Sequence, residues 1–226
     1  MKTTNVIVGT AFSLVLAGAA HANPYTGISI DSLGDMGYGE TYQMYINVDV
    51  GARVDAIFGN GAADLSIDTA AGMSFYQNAL GGPTSTAINS AFFPLAPSLE
   101  WDSYVTIGAL HSDGHPFGNN ALLDIGIDWS SFNAGGSLET SNGSWFVTPA
   151  DAQGGEVGGR VLIGQFTVVG GTGDGYADLV GQLSIQGKDA AGETFQELGA
   201  TWALVPAPGA IALLGLAGVC SRRRRK

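Results

Sequence analysis

The chain has a single cysteine, Cys220, and it falls in an apolar run close to the C-terminus. Everything before it lacks a disulfide, a thiolate metal site and a thiol nucleophile. Basic residues are almost as scarce. Of the nine Lys and Arg, Lys2 belongs to the first segment, and Arg222, Arg223, Arg224, Arg225 and Lys226 close the chain. Only Arg53, Arg160 and Lys188 remain between them, against all 20 Asp and Glu, a formal charge of −17. Nucleic acid is excluded as a partner, because binding phosphates needs clustered Lys and Arg. Such acidity suits divalent cations, a saline medium or simple solubility. Histidine is limited to His21, His111 and His115. No Ser-His-Asp arrangement, phosphate-binding loop or dinucleotide fingerprint is present.

The two ends are the most specific parts of the sequence. Lys2, an apolar run over 6–18 and Ala20-His21-Ala22 form a secretory signal with cleavage after Ala22. The apolar run is short for a membrane span. At the other end, Val205-Pro206-Ala207-Pro208-Gly209-Ala210 leads into the apolar stretch 210–220 (AIALLGLAGVC) and then the cluster Arg222 to Lys226. The prolines keep the first part extended and out of the adjoining helix, where a protease can reach its backbone. The five cations hold the end on the cytoplasmic side of a membrane.

These three parts, in this order, resemble the PEP-CTERM sorting signal in its Val-Pro-Ala-Pro-Gly-Ala variant; Pro206 stands where the namesake motif has Glu. The resemblance implies an exosortase-type sorting protease as partner. It further implies a stay in the inner membrane before processing, and delivery to the cell surface or the extracellular medium. The motif residues are Val205, Pro206, Ala207 and Pro208. The alternative is a plain tail anchor, which would keep its helix. Cys220 either packs or faces lipid, with S-acylation as a further option.

Between the ends the pattern is β. Residues 40–51 (ETYQMYINVDVG) alternate, placing Tyr42, Met44, Ile46, Val48 and Val50 inward. Further strands are expected over 53–59, 63–68, 73–76, 101–109, 144–147, 160–169, 178–187 and 194–204. Another over 122–129 would turn Leu123, Ile125 and Ile127 inward. Asn60-Gly61 signals a tight turn. Residues 79–99 form a long ordered loop. Residues 170–175 turn between two strands as in a hairpin, and Thr148 caps a short helix beginning at Pro149. The expected organisation is a signal peptide at 1–22, one domain at 23–204 and the sorting signal with its transmembrane helix at 205–226. The domain is all-β, a single sandwich or jelly roll of about nine to eleven short strands. Its closing strands, with Lys188-Asp189-Ala190-Ala191-Gly192, resemble those of cohesin-type sandwiches.

Several clusters are candidates for chemistry. His111, Asp113 and His115 have metal-like spacing on a Gly- and Pro-rich turn. Asp174 and Asp178 beside residues 170–175 (GGTGDG), and Asp31 and Asp35 near Gly34 and Gly37, are candidate oxygen donors for a structural calcium. Asp124 with Asp128, and Glu100 with Asp102, are carboxylate pairs of the kind a glycosidase uses, though solvated strand faces look the same. Trp101 and Trp129 adjoin those acids and are candidate carbohydrate contacts, while at least three of the four tryptophans are expected in the core. The chain is thus expected to be an exported, surface-sorted structural or binding protein of the envelope or extracellular matrix, without catalysis. A module binding extracellular polysaccharide is the alternative, and a secreted hydrolase the third.

Overall fold

The structure, a computed structural model, describes residues 23–202. The expected signal peptide and sorting signal lie outside the described residues. Among these there are twelve strands: β1 (Tyr25–Asp35), β2 (Glu40–Val48), β3 (Arg53–Gly59), β4 (Leu65–Thr69), β5 (Ser74–Phe75), β6 (Tyr104–Val105), β7 (Leu123–Ile125), β8 (Leu138–Thr140), β9 (Gly143–Phe146), β10 (Arg160–Val169), β11 (Leu179–Lys188) and β12 (Thr194–Thr201). Two single-turn helices, α1 (Ser130–Asn133) and α2 (Gly175–Asp178), and four short 3-10 turns complete the described elements. None of the described helices is long and apolar enough to cross a membrane.

The strands form two antiparallel sheets. The first runs β1-β2-β10-β5, with β6 also on β10; the second runs β7-β9-β3-β11-β4-β8, with β12 on β11. Because β12 occupies one edge of β11 over Gln182 to Lys188, β3 and β4 must succeed one another along the other edge. The sheets share one core: Tyr42, Met44, Ile46 and Phe166 of the first meet Ile57, Ile67, Trp145, Leu183 and Ile185 of the second. This is the all-β, two-sheet arrangement that the alternating pattern predicts. The strands missing from the expected list are β1, whose eleven residues bury only Ile28 and so show no alternation, and β8, whose three residues are too short to carry a period.

β10 is buried from Val161 through Val168, on both its faces. One face looks into the core, and the other is covered by the segment between β5 and β6. Its polar residues are satisfied there: the Thr41 and Thr167 hydroxyls bond each other at 2.8 Å, and Gln165 Nε2 donates to the carbonyls of Glu100 and Asp102. Ser103 Oγ accepts the Thr167 N–H. The long segment over 79–99 is therefore ordered, with its own small apolar cluster of Ile88, Leu99 and Tyr104.

Five expectations need correction. Val50 is 80% exposed, because the chain leaves β2 at Val48 and turns. Leu123 and Ile125 point to solvent: β7 is an edge strand paired only to β9, and its inward neighbours are Leu122 and the half-buried Ile127. Residues 101–109 pair only over Tyr104–Val105, Trp101 ending a 3-10 turn. Thr148 caps no helix; its N–H and hydroxyl donate to Asp151, closing a turn before the 3-10 residues Ala152–Gly154. Finally, β10 and β11 are not a hairpin. They belong to different sheets, and the connection between them crosses the edge of the core.

Candidate functional site

Two of the four tryptophans are core residues, fewer than expected. Trp145 is fully buried and donates its indole N–H to the Thr106 carbonyl at 3.0 Å; Trp202 is buried and donates to the Leu179 carbonyl at 2.8 Å. Trp101 and Trp129 are half-buried. Trp101 ends the 3-10 turn Pro97–Trp101. Trp129 precedes α1, packs against Phe132 with ring centroids 6.3 Å apart, and donates its Nε1–H to Asp124 Oδ1 at 3.1 Å. The ring of Trp129 is thus fixed from below by packing and at its edge by a carboxylate, with part of its surface in water. An indole posed in this way can stack on the C–H face of a sugar.

The acids around it do not assemble a proton-transfer pair. Asp124 is exposed and bonded to Trp129, whereas Asp128 accepts the Ser130 N–H, which holds its carboxyl below the ordinary range. An acid held low stays ionised at neutral pH and cannot act as a general acid. Glu100 is exposed, but Asp102 is completely buried, contrary to the solvated-face expectation for that pair. Its Oδ1 accepts the N–H groups of Asn78 and Ser103. Burial pushes its carboxyl up to about 7, although the amides of Asn78, Ser103 and Gly82 pull the other way. Nothing in the local sequence marks Asp102 as buried, because its cover comes from a loop more than twenty residues earlier.

The candidate metal ligands are engaged with the protein itself. Asp178, also fully buried, accepts the Tyr42 hydroxyl, the Thr172 N–H and the Thr172 hydroxyl, the last at 2.7 Å. Asp174 accepts the Tyr176 N–H at the start of α2. Asp31 pairs with Arg160 at 2.6 Å, and the Arg160 guanidinium lies 4.0 Å from the centre of the Tyr45 ring. Asp35 accepts the amides of Gly37 and Gly39, which lower its carboxyl. On the turn around His111, Asp113 accepts the His115 N–H and the Ser90 hydroxyl. The imidazoles of His111 and His115 stack at 6.3 Å, and His111 also meets Phe93 edge-on. Burial lowers the pKa of His111. Among the described residues no three His, Cys, Asp or Glu come together as a metal cluster.

Two concavities are notable. One of about 220 Å³ is largely apolar, with Leu110, Phe117, Val157, Tyr45 and Arg160 in its wall. A second of about 450 Å³, more polar, lies between residues 77–83 and Asn133. The fold places the chain among two-sheet, all-β proteins. Compared with protein families, curated proteins and solved structures, the chain matches none.

Proposed function

We propose that this chain is an exported protein of the cell envelope or extracellular matrix, sorted by its C-terminal signal and acting there as a non-catalytic structural or binding component. The body is a single sandwich carried between a removable leader and a membrane-spanning tail. The observation that carries this proposal is the order of parts at the C-terminus: Pro206 and Pro208, an apolar stretch, then five cations. An exosortase-type protease reads Val205 to Pro208 and removes the apolar stretch and its cations, leaving an acidic body outside the inner membrane. The intact mass of the protein recovered from its producing cells tests this. The expected mass lacks both residues 1–22 and the cluster Arg222 to Lys226; a mature protein that keeps the cluster sinks the sorting proposal and leaves a tail anchor.

A second proposal, that the body binds extracellular polysaccharide, is favoured by the posture of Trp129, half-exposed and held at its edge by Asp124. Saturable binding to immobilised polysaccharides is its measure. Trp129→Ala should abolish binding while leaving the unfolding transition in place, with Trp101→Ala as the companion variant. Absence of binding across a broad glycan panel ends this proposal without touching the first.

A further inference from the structure

The Asp102 carboxyl is a buried acid with one oxygen satisfied and one not. Oδ1 accepts Asn78 N–H at 2.7 Å and Ser103 N–H at 3.0 Å, whereas Oδ2 is buried with no hydrogen-bond partner. Gly81 lies directly over Oδ2: a Cβ added there would sit 1.8 Å from it, so a side chain at 81 would have to displace the carboxyl. Gln77 Nε2, on the same loop, is likewise buried without a partner. The closed loop therefore leaves two buried polar atoms without a hydrogen bond, which weakens closure. Its tip buries little in return, since Ala79 and Leu80 are exposed. A segment with few buried contacts and unpaired polar groups belongs to the part of a fold that opens most easily.

We propose that residues 77–83 form a proton-operated latch: the loop sits closed on β6 while the Asp102 carboxyl is protonated, and ionisation of that carboxyl releases it, loosening the wall that it shares with Asn133. This device is independent of the sorting signal. Among the described residues no cation acts on the Asp102 carboxyl. The loop side presents the neutral Asn78, Gly81 and Gly82, and Gln165 of β10 binds the backbone carbonyl of Asp102. Tyr104 of β6 and Glu100 of the preceding turn are titratable neighbours, and the pKa of Tyr104 is raised first by its own burial and then by the negative charges of Asp102, Tyr45 and Glu100. Only amide N–H groups favour the carboxylate, and burial outweighs them.

The direction is fixed by linkage. The closed form binds the proton up to about pH 7, whereas an aspartate released to water keeps it only to its ordinary value of 3.8. Closure is therefore strongest in acid, weakens as pH rises between those two values, and is weakest above the higher one. The open-to-closed ratio should rise about tenfold between about pH 6 and about pH 8.

Amide hydrogen exchange at Asn78 in the full chain reads this ratio, with Asp102→Asn as a neutral isostere that keeps an acceptor for Asn78 and Ser103. The ratio of the wild-type to the variant exchange rate should grow about tenfold over that pH window. A ratio that does not change with pH overturns the latch. If Asp102→Asn does not fold, the carboxyl carbon resonance of Asp102 in the wild-type chain decides. Titration near neutrality, with the Asn78 amide moving in step, supports the proposal, and titration in the ordinary aspartate range overturns it.

Discussion

Replacing Tyr42 by Phe removes one hydroxyl that is buried against Asp178, at the base of an exposed turn, and leaves the ring's packing intact. That hydroxyl donates to Asp178 Oδ2 and accepts the Gly173 N–H at 3.0 Å. A hydrogen bond to a charged acceptor contributes about 1.5–3 kcal/mol, and the Gly173 N–H, on an exposed turn, passes to water at little further loss. The expected loss is therefore about 2 kcal/mol. With a urea m-value of about 2–3 kcal/mol/M, the unfolding midpoint should fall by about 1 M. The loss should also depend on pH. Burial by itself pushes the Asp178 carboxyl up, but the hydroxyls of Tyr42 and Thr172 and the amides of Thr172 and Gly173 outweigh it and hold the group below its ordinary value of 3.8. A carboxyl with a depressed folded pKa stabilises the fold above its unfolded pKa, and that stability is lost as pH falls through the folded one. Tyr42→Phe takes away one of the depressing donors, so the gap between variant and wild type should be widest near neutrality and narrow in acid. Urea titrations followed by tryptophan fluorescence, at neutral pH and below the unfolded aspartate pKa, measure both effects. A neutral-pH difference under about 0.5 kcal/mol, or a gap that is equally wide in acid, would refute the account of Asp178 as a charged, bonded anchor.

Three further outcomes are expected. Trp145→Ala should lose about 3–5 kcal/mol, the range for emptying a large buried aromatic site, and should leave the Thr106 carbonyl without its donor; Trp145→Phe should lose less. Arg53→Met should destabilise by about 3 kcal/mol, because it strands the nearly buried Asp55 carboxylate and two carbonyls, those of Thr148 and Asp151; added salt should barely change the loss, unlike that of a surface pair. Chelation with EDTA should leave the melting temperature of the full chain unchanged, since the carboxylates of Asp31, Asp35, Asp174 and Asp178 are already held by protein donors; a marked rise with added calcium would show a site that those bonds do not occupy.

The parts of the fold that were legible in the sequence are those set by neighbours along the chain. The alternation from Tyr42 to Val48 places four consecutive inward residues correctly, and 53–59 and 160–169 match their strands to the residue. The same alternation over 122–129 misleads, because a period of two tells that a strand has two faces and not which one the fold will cover. At β7 the core lies behind Trp145, and Leu123 and Ile125 are left on the outside. Residues 170–175 look like a hairpin turn in composition, yet β10 and β11 go to separate sheets, and the crossing is secured by Asp178 and Tyr42, 136 residues apart.

By itself, the sequence determined that the body is all-β, acidic and free of cysteine chemistry, since each of these depends on composition or on short contiguous patterns. Tertiary structure alone decided which polar groups lose their water. Asp102 and Glu100 are two carboxylic acids two residues apart, and the loop through Asn78 and Gly81 that folds over one of them makes it a buried acid. The physical reason is that desolvation is set by what lies across space from a group, and a loop folding back from a distant stretch leaves no mark on the residues that it covers.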